Sequence, residues 1–431
     1  MKNFFQFAER NTSYKQETLA GITTFLSVAY ILVVNPLILS QAGMDRGAVF
    51  TATALTAIIG TLLIGLLANY PIAIAPSMGL NSFFTFSVCI GMGIDWQVAL
   101  TGVLIAGIIF MILSVMKIRE KIINAIPQDL KYAIASGIGF FITFIGLKNA
   151  GIIIANPDTF VSIGDITSAT TALAVVGLMI TIIMLVRGIN GGIFYGMVIT
   201  TIIGMIFGLI RVPSSIVGEI PSLEPTFGVV FSHVDEIFTP ELIAVIFTFL
   251  FVAFFDTAGA LIGLTSQAGM AKGNKIPKIG QALLADSSAG VIGAILGTST
   301  PATSVESSAG IAVGGRTGFT SVIIALCFAI ALFFSPILAV ITTEVTAPAL
   351  IIVGALMAMQ ISKINWIKLE IVIPSFLTIV MMPLTSSVAI GIAFGFILYP
   401  LAFAVQGRYK EVHPIMYILC VLFILYFAFV A

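Results

Sequence analysis

The stretch TSTPATSVESSAG, residues 298–310, is small and polar, yet it lies between two apolar runs, AGVIGAILG (289–297) and FTSVIIALCFAIALFF (319–334). Pro301 removes a backbone donor and clashes with the preceding turn, so a continuous helix cannot pass through it. Glu306 adds a carboxylate at the same place. If the flanking runs cross a membrane, such backbone is tolerated only inside protein or along a watery cavity. The stretch therefore predicts a broken membrane segment that serves a buried polar site.

Most of the remaining chain is as apolar as those two runs. Of the 431 residues, 59% are hydrophobic and 9% are charged, against about a quarter charged in a soluble domain. Apolar runs of about 20 residues match the hydrocarbon thickness of a bilayer. We therefore expect an all-α polytopic membrane protein with about fourteen transmembrane segments, near residues 18–40, 48–68, 71–90, 97–116, 130–148, 169–187, 192–211, 241–266, 279–297, 300–314, 318–341, 348–361, 367–405 and 414–430. The sequence MMPLTSS (381–387) interrupts the long stretch 367–405, which is either one bent segment or two short ones.

The titratable and sulfur-containing residues exclude several classes of protein. The cysteines, Cys89, Cys327 and Cys420, lie inside apolar segments, so they predict neither a disulfide framework nor a zinc site. The two histidines, His233 and His413, lie in expected loops. A net charge of zero gives no reason to expect a nucleic-acid partner. We expect no metal, no cofactor and no enzymatic activity.

An internal repeat relates the two halves of the chain. Three matches recur in order at an offset of about 225 residues: TFLSVAY (24–30) with TFLFVAF (248–254), SQAGM (40–44) with SQAGM (266–270), and the prolines of APSMGLNS (75–82) and TPATSVES (300–307). Asn81 and Glu306 both lie five residues after the matched proline. Each half holds about seven spans, and an odd number inverts the second copy. The pattern predicts a 7+7 inverted repeat, which is typical of secondary transporters.

The distribution of charge predicts the orientation. With a cytoplasmic N-terminus, the basic clusters fall on one side, namely Lys2, Arg10 and Lys15; Lys117, Arg119, Lys121 and Lys131; Lys272, Lys275 and Lys278; and Lys363 and Lys368. The loops on the other side carry Asp158, Asp165, Glu219, Glu224, Asp235 and Glu236. Arg408 and Lys410 fit the rule only for some ways of counting 367–405. Residues 1–17 have no apolar core of a signal peptide, and we expect a short cytoplasmic helix at the membrane surface.

Segments 3 and 10 are the two broken spans, and each is expected to run from an extended stretch into a half-helix. Asn81 and Ser82 would open the first half-helix, and Glu306 and Ser307 the second. Free N–H groups at such helix starts point toward the middle of the protein. Two facing copies would form a binding site at the membrane midplane, with Ser307 among the expected substrate contacts. Asp256, in the middle of segment 8, adds a second acid there. An isolated aspartate at that depth costs about 2.5–3.5 kcal/mol, so it needs a partner or a proton.

Each of these polar residues also has a purely structural interpretation. Asn81 could serve only as a helix cap. Glu306 could cap its own half-helix or pair with Arg316. Asp256 could be a structural hydrogen-bonding group beside the broken backbone. Phe83 could be a lipid or core contact instead of stacking on a flat substrate.

The sequence resembles the nucleobase–ascorbate transporter family, and more narrowly its AzgA-like permeases for hypoxanthine, guanine and adenine. The resemblance extends over essentially the whole chain and rests on TTFLSVAYILVVNP (23–36), APSMGLNSFF (75–84), FFDTAGALIG (254–263) and TSTPATSVESSAGIAVGGRTG (298–318). It implies short antiparallel strands in segments 3 and 10. It also implies a core domain from 18–116 (spans 1–4) and 241–341 (spans 8–11), and a gate domain from 117–240 (spans 5–7) and 342–431 (spans 12–14).

The resemblance also implies a substrate and its contacts. A purine would lie between the two strands, with Asp256 and Glu306 as the acidic pair, Asn81 as the polar residue of span 3 and Phe83 as the stacking aromatic. The uracil branch carries a glutamate in span 8, and the shorter Asp256 leaves room for a bicyclic base. That branch also has a histidine four residues later, where this chain has Ala260.

The expected function is therefore import of purine nucleobases by proton symport, through elevator-like alternating access in the plasma or inner membrane. The coupling residues would be Asp256 and Glu306, with Asp256 preferred because desolvation favours its protonated form. The alternative on the same fold is an anion exchanger or channel, which would favour arginine or bare N–H groups over acids. An intramembrane aspartyl protease needs two close aspartates, and only Asp256 and Asp286 lie in spans. The oligomeric state is open, with a homodimer as one candidate.

Overall fold

The computed structural model describes residues 3–116, 126–213, 215–233, 239–270 and 276–429. Within these residues the fold is a bundle of helices, of which nine are long and apolar enough to cross a bilayer. Shorter apolar helices, among them Gly192–Ile206 and Leu369–Thr385, supply further segments. The expected all-α polytopic architecture is confirmed.

The described residues of the first half form eight α-helices and three strands. They are α1 (Tyr14–Val28), α2 (Ile31–Ser40), α3 (Arg46–Leu63), β1 (Ile74–Pro76), α4 (Met78–Ser82), α5 (Trp96–Val115), α6 (Gln128–Asn149), β2 (Ile153–Asn156), β3 (Phe160–Ile163), α7 (Ala169–Val186) and α8 (Gly192–Ile206). Two π-helical segments extend α3 and α4, over Ile64–Ala68 and Phe83–Gly91.

The second half repeats this order of helices, but residues 343–385 contain no counterpart of the β2–β3 hairpin. It comprises α9 (Pro240–Gln267), α10 (Ile279–Leu296), β4 (Pro301–Thr303), α11 (Ser307–Ala312), α12 (Gly318–Ala331), α13 (Ser335–Val340), α14 (Thr343–Ala358), α15 (Leu369–Thr385), α16 (Val388–Val405) and α17 (Pro414–Phe429). The two broken spans are therefore β1–α4 and β4–α11, as the prolines predict.

The helices pack in two groups. Helices α1–α5 pack mainly with α9–α12, whereas α6–α8 pack mainly with α14–α16. The second group is centred on the crossing of α6 and α14, the matching helices of the two halves. A Cβ atom added to Gly139 would lie 2.5 Å from the carbonyl oxygen of Gly354, and one added to Gly354 would lie 2.4 Å from that of Gly139. Only glycine on both sides permits this contact between the two backbones.

The stretch 367–405 forms two helices, α15 and α16. The break falls at Ser386, which has a left-handed backbone (φ 51°), and the hydroxyl of Ser387 caps α16 by accepting from the Ile390 N–H. The uninterrupted alternative is therefore wrong, and α17 is a fifteenth segment beyond the 7+7 repeat. Because α15 and α16 are two consecutive helices, the end of α16 lies beside the start of α15. Arg408, just after α16, therefore reaches Glu370 of α15 and forms an ion pair with it at 2.7 Å.

Arg408 also forms an ion pair with Glu411 at 2.6 Å, just before α17 begins. Hydrogen bonding from this guanidinium lowers the pKa of the Glu411 carboxyl below its usual range. The guanidinium therefore ties the start of α15 to the connection between α16 and α17.

The expected helix within 1–17 is not observed, because residues 3–11 form turns and α1 begins at Tyr14. A buried carboxylate anchors the first turn of α1. Glu17 is fully buried, and its carboxylate accepts from the N–H groups of residues 316, 317 and 320 and, at 2.6 Å, from the Thr320 hydroxyl.

Several charged residues used for the topology prediction lie outside the described residues: Lys2, Lys117, Arg119, Lys121, Asp235, Glu236, Lys272 and Lys275.

Candidate substrate site

The site is built on a short, fully buried pair of antiparallel strands. β1 pairs with β4 in the register Ile74 with Thr303, Ala75 with Ala302 and Pro76 with Pro301. The two prolines that break the spans thus lie opposite each other. The pairing extends by one bond at each end, from Ser304 N–H to Ala73 O (2.9 Å) and from Ser77 N–H to Thr300 O (3.2 Å).

Hydroxyl groups from neighbouring helices satisfy the outer edge of β1. The Thr61 hydroxyl of α3 donates to Ile74 O and accepts from Ile74 N–H. The Ser321 hydroxyl of α12 accepts from Ile72 N–H at 3.0 Å and donates to Ile72 O at 2.8 Å. Extended backbone can lie at membrane depth because surrounding protein makes these bonds in place of water.

The first half-helix begins earlier than the sequence suggested. α4 starts at Met78 with Ser77 at its N-cap position, so Asn81 and Ser82 lie inside the helix and do not open it. That expectation is wrong, and the interpretation of Asn81 as a cap fails with it. In the second half, Glu306 occupies the N-cap position and Ser307 begins α11, as expected. The side chain of Glu306 makes no capping bond, so the capping interpretation fails there too.

Asp256 projects from α9 toward the first half-helix. Its Oδ2 accepts a hydrogen bond from the Ser77 hydroxyl at 2.5 Å. The adjacent Thr257 is fully buried and donates to Oδ2 of Asp286 in α10 at 2.9 Å. This second contact fixes the rotation of α9, and Asp256 consequently faces the strand pair.

Glu306 is held by two hydroxyl donors, one on each carboxylate oxygen. Tyr30, which is 2% exposed at the junction of α1 and α2, donates to Oε1 at 2.6 Å. Ser304, at the end of β4, donates to Oε2 at 2.5 Å. Arg316 does not pair with Glu306, because its Nη1 donates to the carbonyl oxygens of Ile311 (2.6 Å) and Gly315 (2.7 Å).

Asn81 connects the two broken spans. It is fully buried, and its Oδ1 accepts from the hydroxyl of Ser299, the residue two positions before β4. Its Nδ2 has no hydrogen-bond partner among the described residues. A buried amide that keeps a free donor is costly unless another group accepts from it, so Asn81 presents an unused donor at the strand pair.

The structure gives Ser307 and Phe83 contacts of their own. Ser307 is fully buried, and its hydroxyl accepts from the Ala73 N–H at 3.0 Å, which supports the approach to β1. Phe83 is 1% exposed and packs edge-to-face against Phe249 of α9, with ring centroids 5.0 Å apart. Ser307 and Phe83 therefore both lie in the broken spans, and each already contacts another residue of the protein.

Neither Asp256 nor Glu306 forms an ion pair with any residue in the described ranges, and each is held by neutral hydroxyls. A carboxylate offers about four lone-pair positions, so each acid keeps the capacity to accept from a ligand. The chemistry available here is therefore acceptance of N–H donors or of a proton. Bare carboxylates without cations repel anions.

Sequence reasoning missed the hydroxyl donors that hold the two acids, namely Tyr30, Ser77 and Ser304. All three lie within the motifs 23–36, 75–84 and 298–318. A tyrosine in an apolar span, or a serine close to a proline in a span, could have indicated a hydroxyl donor for a nearby acid. It also missed Asn35, fully buried in α2, whose Nδ2 donates to Thr53 (2.7 Å) and Thr298 (2.9 Å) and so supports the approach to β4.

Comparison with known proteins shows the family to which the chain belongs. The profile of a permease family, Xan_ur_permease, matches residues 15–394. Guanine/hypoxanthine permease PbuG of Bacillus subtilis (strain 168) is 56% identical over 438 residues, covering 100% of both chains. The chain belongs to the nucleobase–ascorbate transporter family. Adenine permease AdeP of Escherichia coli (strain K12), which matches at 42% identity over 100% of this chain and 96% of its own, is another relative of this transporter.

Solved structures show the same fold in distant proteins. The transmembrane domain of the cyanobacterial bicarbonate transporter BicA matches this transporter with a TM-score of 0.64 at 15% identity, covering 88% of this chain and 97% of its own. The murine anion transporter Slc26a9 in its inward-facing state matches with a TM-score of 0.63 at 12% identity, covering 91% of this chain and 69% of its own. The inverted-repeat transporter fold expected from the internal repeat is confirmed.

Proposed function

We propose that this protein imports the purine nucleobases hypoxanthine, guanine and adenine by proton symport. The observation that carries the proposal is the pair of acids, Asp256 and Glu306, flanking the β1–β4 strands without a cation. Purine edges carry N–H donors beside carbonyl and ring-nitrogen acceptors. Two carboxylates and the unused Asn81 donor complement that edge, and a base with the wrong pattern would leave buried groups unpaired. The relatives PbuG, a guanine/hypoxanthine permease, and AdeP, an adenine permease, support the same substrate class.

The proposed contacts divide by role. Glu306 accepts from the N–H groups of the base, Asp256 accepts from its opposite side, and Asn81 donates to a ring nitrogen or carbonyl oxygen. Phe83 supplies an aromatic wall beside the base, supported from behind by Phe249. Ser307 contributes indirectly, by holding the backbone before β1 in place.

For proton coupling we propose Asp256 as the principal carrier, with Glu306 coupled to it through the substrate. A carboxylate at membrane depth needs a counter-charge or a proton, and among the described residues the hydrogen-bond donor to Asp256 is the neutral Ser77 hydroxyl. Binding of a neutral base would then favour a proton on Asp256, and release on the other side would let it leave.

We propose that transport proceeds by elevator-like movement of a core domain (18–116 and 241–341) against a gate domain (117–240 and 342–431). The two packing groups support this division. Among the described residues, the two groups of helices meet at only a few places, such as α4 against α6. There, a Cβ atom on Gly79 would lie 2.8 Å from Cγ2 of Ile138. The connection 221–230, by contrast, packs on the core helices α3, α5 and α10. We also propose that the N-terminus is cytoplasmic and that the protein lies in the plasma or inner membrane, with 1–17 at the cytoplasmic interface.

An anion exchanger on the same fold is disfavoured, because unpaired carboxylates at the site would repel the substrate. The test uses purified protein in proteoliposomes with an imposed inside-alkaline pH gradient. We expect labelled hypoxanthine to accumulate, unlabelled guanine or adenine to compete, and bicarbonate to have no effect. Equal hypoxanthine uptake with and without the gradient would refute proton symport. Uptake of bicarbonate but not of any purine would refute the substrate class.

A further inference from the structure

The β2–β3 hairpin, residues 153–163, is an unusual surface for a loop between two membrane helices. Its strands pair antiparallel from Ile153 with Ile163 to Asn156 with Phe160. Four of its large apolar side chains face away from the protein: Phe160 is 86% exposed, Ile163 70%, Ile154 49% and Val161 43%. An isolated two-stranded hairpin is only marginally stable in water unless an apolar face is covered. The exposed surface therefore needs an occupant.

The tip of the hairpin is built to present Phe160. Oδ1 of Asn156 accepts from the N–H groups of Asp158 (2.8 Å) and Thr159 (3.1 Å), and the Thr159 hydroxyl donates to Val161 O (2.9 Å). Phe160 itself has a left-handed backbone, with φ at 65°. That conformation favours glycine or asparagine and disfavours a bulky residue. Strain accepted for an exposed aromatic at a tip points to a role in binding.

The distribution of the apolar groups identifies the occupant. Successive residues of a strand project to opposite faces, so Val161 and Ile163 lie on one face, and Ile154 and Phe160 lie on the other. A folded protein partner would cover one face of such a hairpin. A lipid surface surrounds the hairpin and covers both.

The position of the hairpin leads to the same partner. Its base is anchored where Ile152 packs against Ala150, at the C-terminal end of α6, and against Ala174 of α7 and Ala347 of α14. From there, α7 continues with an exposed apolar face that includes Val176, Met179 and Ile183, the face expected to contact lipid. The hairpin therefore continues the lipid-facing surface of the α6–α7–α14 bundle beyond the end of its helices.

We propose that the β2–β3 hairpin inserts into the interfacial layer of the bilayer and anchors the α6–α7–α14 bundle at a fixed depth. Its outer strand edges carry unpaired backbone groups, which excludes the hydrocarbon core, and interfacial segments bury their apolar groups about 5–10 Å below the headgroups. Residues 149–186 contain no lysine or arginine. Insertion is therefore driven by apolar burial and does not depend on anionic lipid.

Tryptophan fluorescence tests this directly, because the chain has only two tryptophans. In a Trp96→Phe/Trp366→Phe background, Phe160→Trp and Ile163→Trp serve as independent reporters, and Glu224→Trp, in an exposed loop, serves as the control. Each purified full-length variant that elutes as a single gel-filtration peak is reconstituted into phosphatidylcholine vesicles. The vesicles contain lipid brominated near the headgroup end of the acyl chain or its unbrominated counterpart.

We expect both hairpin reporters to emit at shorter wavelength than the control and to lose about half or more of their emission in brominated vesicles. Added anionic lipid should not change the quenching. If both reporters behave like Glu224→Trp, the hairpin is in water and the proposal is wrong. A blue shift that occurs without bromine quenching, and that disappears when the protein is diluted in lipid, would mean that a second copy of the protein covers the hairpin. That result would also overturn the proposal. Quenching that requires anionic lipid would refute the apolar mechanism.

Discussion

The Glu306→Gln substitution tests the site most directly, because this half-buried carboxylate has a hydroxyl donor on each of its oxygens. Both of its oxygens accept from hydroxyls, Oε1 from Tyr30 at 2.6 Å and Oε2 from Ser304 at 2.5 Å. Glutamine has one oxygen and one NH2 group. One hydroxyl must therefore turn away, and the NH2 group faces either that hydroxyl or the N–H groups of the purine.

The magnitude follows from these contacts. A hydrogen bond to a charged group contributes about 1.5–3 kcal/mol, and an unpaired buried donor adds a further cost. We expect the loss in purine binding to be about 2–4 kcal/mol. At about 1.4 kcal/mol per tenfold change in affinity, the dissociation constant should rise roughly 30- to 700-fold.

Calorimetric titration of hypoxanthine into purified protein measures this change, and thermal unfolding in detergent checks that the variant is folded. Tyr30→Phe removes one donor and leaves the acid and the Ser304 bond in place, so we expect a smaller loss of about 1–1.5 kcal/mol. In the double variant the two losses should not add, because both act on the same carboxylate. Glu224→Gln, in an exposed loop, is the matched control and should bind normally. Normal affinity in Glu306→Gln would remove Glu306 from the site, and strict additivity with Tyr30→Phe would refute the role of the tyrosine.

Three further predictions concern coupling, domain contact and stability. Asp256→Asn should still bind and exchange purine but should not concentrate it under an inside-alkaline gradient, and full accumulation would mean that the proton is carried elsewhere. Gly79→Ala should slow uptake roughly 5- to 150-fold, the size of an overpacking cost of about 1–3 kcal/mol, with rescue by Ile138→Ala; absence of rescue would show that this contact does not limit movement. Glu17→Gln should lower the melting temperature in detergent, because one amide oxygen cannot replace a carboxylate that accepts from three N–H groups and a hydroxyl, and an unchanged melting temperature would contradict that account.

The architecture was open to sequence reasoning because membrane proteins obey few and strong rules. Apolar length sets the spans and an odd number of spans inverts the second repeat. Proline alone does not mark a break, because Pro374 and Pro383 lie inside α15. The paired breaks at Pro76 and Pro301 could be located because each proline lies in a polar stretch and the two positions match in the repeat. The boundaries inside broken segments were harder. α4 starts at Met78 because the strand ends at Pro76, and no pattern in MGLNS indicates that Asn81 lies one turn inside the helix.

By itself, the sequence of this protein determined the spans, the inverted repeat, the strand-and-half-helix form of segments 3 and 10, and the three polar residues Asp256, Glu306 and Asn81. Only the tertiary structure decided what holds those residues. Tyr30 and Glu306 are 276 positions apart, and Ser77 and Asp256 are 179 positions apart. Such contacts depend on how distant helices rotate against each other when they pack. Local periodicity carries no information about that rotation, so the partners of a buried acid become visible only in the folded chain.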